Sequence, residues 1–107
     1  MISDKDVERA LDYLRDSVEP CAQARANRLY MEQWVKTVKA KVQTEQKGMT
    51  VAAADAVAAC SPAYLDALQA MKEAINEDER CRFLREAANI KIEAWRTQSS
   101  NERAGRI

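Results

Sequence analysis

The chain has no histidine, only two glycines, two prolines and one phenylalanine in 107 residues. Without histidine the commonest general acid/base and metal ligand is missing, which sets ordinary hydrolase and metalloenzyme chemistry at a disadvantage. So little Gly and Pro leaves almost no turn chemistry and excludes a many-stranded β fold. The longest apolar stretch, Val51 to Cys60, is Ala-rich and is broken by Asp55, well short of the roughly 18 apolar residues of a membrane span. The N-terminus is charged from Asp4 onward and no apolar run follows it, so no signal peptide is expected. Cys21, Cys60 and Cys81 are odd in number, widely spaced and without a CxxC pair, which fits free thiols in a reducing cytoplasm and argues against zinc. No charge prevails either, with 17 basic against 17 acidic residues.

What the chain does contain is Ala, Glu, Lys, Leu, Gln and Arg, the composition of long helices. A share of 47% apolar and 32% charged residues belongs to a folded, water-soluble protein of one domain. Ser3 and Asp6 form a capping-box variant ahead of the apolar series Val7, Leu11, Leu14, Val18 and Cys21. A second series, Ala24, Arg28, Met31, Val35, Val38 and Val42, follows after one extra step of three. That slip lies beside Pro20, which removes a helical hydrogen bond, so a kink is expected near residues 16 to 20. The helix should run to about Gln46 and stop at Lys47-Gly48. Thr50 is placed to cap a short Ala-rich helix through Ala59, and Ser61-Pro62 is a restart signal. Tyr64, Leu68, Met71 and Ile75 then form a stripe, which the polar patch from Asn76 to Arg80 interrupts. Cys81, Leu84, Ala88, Ile92 and Trp95 resume it out of register. Residues 97–107 read as a polar tail with about one more helical turn before fraying.

These signals predict an all-α fold, a long antiparallel helical hairpin, coiled-coil-like, with the Ala-rich helix as connector. Charge supports the antiparallel sense. Residues 1–20, 21–48, 49–79 and 80–107 carry net charges of −3, +4, −5 and +4, so folding the chain back on itself places opposite signs together. Each exposed pair is worth only about 0.2 to 1 kcal/mol, so the pattern selects orientation more than it stabilises. Tyr30, Trp34, Val51, Val57, Phe83 and Ile90 lie off the stripes, and contiguous exposed apolar surface marks interfaces. A homo-oligomer forming a helical bundle is therefore expected, with Trp34, Val51, Ala56 and Val57 as interface candidates. The alternative is a monomer in which the Ala-rich segment covers the hairpin.

Little in the chain points to catalysis. No phosphate-binding glycine loop is present, and no cofactor or metal is implied. The acidic clusters Asp4/Asp6 and Glu77/Asp78/Glu79 suit a helix N-terminus and a solvated helix face, and the cysteines suit small core or interface positions. Arg25, Arg28, Lys36 and Lys39 share one helical face and are expected to be internally paired. The C-terminal quarter places Arg82, Arg85, Arg96 and Arg103 among Phe83 and Trp95, and cations beside aromatic rings are what a nucleic-acid surface needs. Arg96 and Arg103, seven residues apart, share a face if the helix continues.

The stretch Ile92-Glu93-Ala94-Trp95-Arg96-Thr97-Gln98-Ser99-Ser100-Asn101-Glu102-Arg103-Ala104, with Ser61-Pro62-Ala63-Tyr64, resembles small helical proteins of tailed bacteriophages and prophages, often encoded near replication and recombination genes. The likeness covers about a sixth of the chain. It implies a phage origin, a cytoplasmic host setting and association with DNA-processing proteins, and it carries over no catalytic residue. The expected function is a non-enzymatic accessory protein that binds single-stranded DNA or a recombination partner, without membrane contact, through Arg82, Arg85, Trp95, Arg96, Asn101 and Arg103. The alternative is a protein-interaction module that inhibits or adapts a host protein without touching nucleic acid.

Overall fold

The computed structural model describes residues 1–106, so the last residue of the expected polar tail, Ile107, lies outside the described residues. The fold is all-α, with 88% of the residues helical and no strand among the described residues. Its elements are α1 (Asp4–Asp16), α2 (Val18–Thr44), α3 (Val51–Ala59) and α4 (Pro62–Gly105).

Each boundary has a local chemical cause. The Ser3 hydroxyl accepts from the Asp6 N–H at 3.1 Å and the Asp6 carboxylate accepts from the Ser3 N–H at 3.0 Å, a complete capping box at the start of α1. The expected interruption near residues 16 to 20 falls at Ser17. Pro20 has no N–H for the Asp16 carbonyl and its ring crowds that carbonyl, but it is tolerated in the first turn of a new helix. Helix α2 ends at Thr44, slightly before the expected Gln46. Glu45 and Gln46 there donate to the Val42 and Gln43 carbonyls at 3.2 and 3.1 Å, a tightened last turn. Gly48 follows at φ +78°, a left-handed conformation that glycine adopts without strain. Thr50 caps α3 by accepting from the Ala53 N–H at 3.1 Å, and Ser61 starts α4 by accepting from the Tyr64 N–H at 3.3 Å, with Pro62 in the first helical position.

Burial along the helices corrects the register suggested by the large apolar residues. The buried or half-buried row in α1 and α2 is Val7, Ala10, Leu14, Ser17, Cys21, Ala24, Arg28, Met31, Val35, Val38 and Val42, in alternating steps of three and four with no slip. Leu11 and Val18, expected on that stripe, are 52% and 51% exposed. In α4 the row is Tyr64, Ala67, Met71, Ala74, Asp78, Cys81, Arg85, Ala88, Ile92, Trp95 and Ser99, again an unbroken heptad pattern. Leu84 lies outside it and is 45% exposed. The apparent slips arose because small and charged residues hold core positions that hydrophobicity alone assigns to their larger neighbours.

The contacts gather into two compact units, one of Met1–Ala22 with Glu79–Ile107, the other Gln23–Asp78. In the second, Val35, Val38 and Ala67 form a core against which Trp34, Tyr64, Leu68 and Met71 pack. Ala54 and Ala58 of α3 are buried. Asp55 takes an ion pair from Lys39 at 3.1 Å and a hydrogen bond from the Gln43 amide at 2.8 Å. Arg28 reaches Asp78 at 3.1 Å and Glu32 at 3.1 Å. With residue 28 beside 78 and residues 35 and 38 beside 67, the two segments of this unit run in opposite directions.

The unit containing both chain ends is tied differently. The Gln98 amide bonds both the N–H and the carbonyl of Ile2, at 3.2 and 3.0 Å. The Trp95 indole donates to Asp4 at 2.9 Å, and Arg85 donates to the Leu14 carbonyl at 2.8 Å and to the Ser17 hydroxyl. This order is also reversed along the two segments. Instead of one turn past Arg96 and then fraying, α4 continues to Gly105. The Gln98 and Trp95 ties explain the extension, together with the lack of any helix breaker before Gly105.

Candidate interaction surfaces

The structure sorts the expected binding residues of the C-terminal quarter into three groups. Trp95, Arg96 and Arg103 come together with Arg106 around a shallow groove that Asp4, Ser99 and Glu102 complete. Arg96 is 66% exposed and pairs with Glu93 at 2.9 Å. Arg103 and Arg106 are exposed and make no ion pair among the described residues. Because α4 stays helical, Arg96 and Arg103 occupy equivalent heptad positions, and Arg82 lies on the same row. Arg82, however, is held by Glu79 at 2.6 Å, with its guanidinium 5.1 Å from the Phe83 ring centre.

Arg85 leaves the exposed set altogether. It occupies a core position of the heptad and spends its donors on the break at Ser17, where a freed helix-end carbonyl requires a partner. Trp95 is half-buried and its N–H is engaged by Asp4, so it braces the groove rather than presenting an open stacking face. Asn101 stands about 140° around the helix axis from Arg96 and belongs to the opposite face.

In the other unit, Trp34 is half-buried against the Val35, Val38 and Ala67 core, which replaces the expectation of a free interface residue. Tyr30 stacks on it at 6.4 Å and remains 64% exposed, and Lys41 lies 5.3 Å from the Trp34 ring centre. Val51, Ala56 and Val57 are exposed on α3. Among the described residues, no group of three or more Cys, Asp or Glu is placed to hold a metal ion, and no single helix is long and apolar enough to cross a membrane.

The Ser3 backbone N–H, then its hydroxyl, hold the Asp6 carboxyl below its ordinary range, with Lys91 adding a smaller pull. Hydrogen bonding with Asp16 raises Arg15 and lowers Asp16 in turn.

The architecture defines an all-helical protein with exposed charged and apolar side chains. Comparison with known proteins adds no relative, since no family model, no curated protein and no solved structure matches the chain.

Proposed function

We propose that the protein acts by binding and has no catalytic role: a phage-derived, cytoplasmic helical hairpin that engages single-stranded DNA through the C-terminal end of α4. In this reading the two reversed pairings belong to one hairpin turned by α3, and copies of it self-associate. The observation that carries the reading is the continuation of α4 to Gly105, which aligns Arg96 with Arg103 and leaves Arg103 and Arg106 without carboxylate partners among the described residues. Guanidinium groups free of internal pairing are suited to phosphate oxygens. With Trp95 engaged, the contact is mainly electrostatic, so it carries little sequence information.

The test is anisotropy of a short labelled single strand titrated at several salt concentrations. Replacing Arg96 and Arg103 by Ala should weaken binding broadly and reduce the log-log salt slope by about 1.4, at about 0.7 per phosphate contact. The second reading, a protein-interaction module that adapts a host protein, draws support from Phe83 and Ile90, which are 57% and 69% exposed. Wild-type protein that fails to bind any oligonucleotide at low salt would overturn the first reading and leave the second as the better one.

A further inference from the structure

Beyond the core row, α4 carries a second heptad row that nothing in the chain covers. Phe83, Ala87, Ile90, Ala94, Thr97 and Asn101 follow in steps of four and three, and all are exposed. Steps of four and three place them on one face, turned away from the row that ends at Trp95 and Ser99. The equivalent positions earlier in α4 are Asp66, Gln69, Glu73, Asn76 and Arg80, the ordinary polar exterior of a helix. Only the stretch from Phe83 to Ala94 turns apolar.

We infer that this face is the contact surface for a second copy of the chain, packed parallel and in register along α4. Charge complementarity selects the occupant and its direction. On one flank of the row stand Glu86 and Glu93, on the other Leu84, Lys91 and Gln98. In a parallel pair each flank residue meets the opposite flank of its neighbour five positions on, which sets Glu86 against Lys91 and Glu93 against Gln98. In an antiparallel pair like flanks meet, and Glu86 faces Glu93. Glu86 and Lys91 make no ion pair among the described residues, and Lys91 acts on the Asp6 carboxylate only at longer range. Ala87 and Ala94 allow close approach between the large side chains, and Asn101 occupies the kind of core position at which an Asn fixes a two-stranded parallel register. This gives Asn101 a role that the Arg groove does not. A parallel pair also brings both copies of Arg96, Arg103 and Arg106 to the same end, doubling the cationic surface.

The inference rests on the self-association in the reading above but moves the interface from α3 to α4. Sedimentation equilibrium of the full chain without oligonucleotide tests it. The wild type should be a dimer at high micromolar concentration, and Phe83→Glu should weaken it at least about tenfold with unchanged helical circular dichroism, since Phe83 supports no core. Glu86→Lys should weaken the dimer, and adding Lys91→Glu should restore it. Strengthening by Glu86→Lys overturns the parallel arrangement, because relief of a Glu–Glu contact is the antiparallel outcome. If Ala56→Glu lowers the mass while Phe83→Glu does not, self-association stands but this surface is refuted. A monomeric wild type refutes both.

Discussion

The two units solve the same pairing problem with different chemistry. In Gln23–Asp78, Val35, Val38 and Ala67 meet Trp34, Tyr64, Leu68 and Met71 in an apolar core, while Leu29, Tyr30, Val51 and Leu65 stay exposed, and the outer row of α4 is polar at Asp66, Gln69, Glu73 and Asn76. In Met1–Ala22 with Glu79–Ile107 the interior is thinner. Its buried residues are Val7, Ala10, Ser17 and Ala88, and its ties are hydrogen bonds from Arg85, Trp95 and Gln98, while Phe83, Leu84 and Ile90 remain outside. Burial of apolar area is the main stabilising term, whereas each hydrogen bond contributes only about 0.5 to 1.5 kcal/mol net. The unit that holds the chain ends is therefore the less stable of the two by itself, and its exposed apolar residues are the ones proposed above to meet a partner.

Substitutions can break this contrast in graded steps. The largest effect belongs to the apolar core: Val38→Ala should cost about 2 kcal/mol by lost burial and an unfilled cavity, seen in urea denaturation. Next comes the polar tie. Arg85→Ala leaves the Leu14 carbonyl and Ser17 hydroxyl to find other partners, and should cost about 1 to 2 kcal/mol, with faster amide exchange in residues 7–17 and little change in residues 31–38. Ile90→Ala should change the stability of the monomer by less than about 0.5 kcal/mol, because the side chain is already in water, yet it should weaken the dimer. Equal losses from Val38→Ala and Ile90→Ala would erase the distinction between the units.

The smallest effect is at the chain start. The folded-state pKa of Asp6 is lowered, so its charged form favours folding above the ordinary carboxyl range, and this contribution is lost as pH falls through the lowered value. Carbon-13 titration of Asp6 should give a midpoint below the ordinary carboxyl range, and Ser3→Ala should raise it. A wild-type midpoint within the ordinary carboxyl range would mean that the capping box is not formed in solution.

This contrast also explains how much of the molecule was legible in the sequence. Helix starts and the break near Pro20 could be read directly, because Ser3, Thr50, Ser61-Pro62 and Gly48 act on backbone atoms within a few residues of themselves. The seam register could be read only in part: the series from Ala24 to Val42 is buried or half-buried as expected, but the register was misread around Leu11, Val18 and Leu84. Ala10 and Ser17 lost to Leu11 and Val18 in a reading by hydrophobicity, and Arg85 lost to Leu84, since a small residue at close approach or a charge with a carbonyl to satisfy leaves no local signal. The same blindness assigned Arg85 and Trp95 to an outward binding surface. Their partners, Ser17 and Asp4, are 68 and 91 residues away in the chain. Arg96 and Arg103 were placed on one face correctly, given a helix that continued, and that continuation depends on Gln98 meeting Ile2.

Hydrogen exchange along α4 at increasing protein concentration separates the two units, because residues 62–78 of this helix belong to one and residues 79–105 to the other. The account predicts high protection in residues 64–78 at every concentration, and protection in residues 83–97 that starts lower and rises as copies pair. Uniform protection along α4 that does not depend on concentration would contradict it.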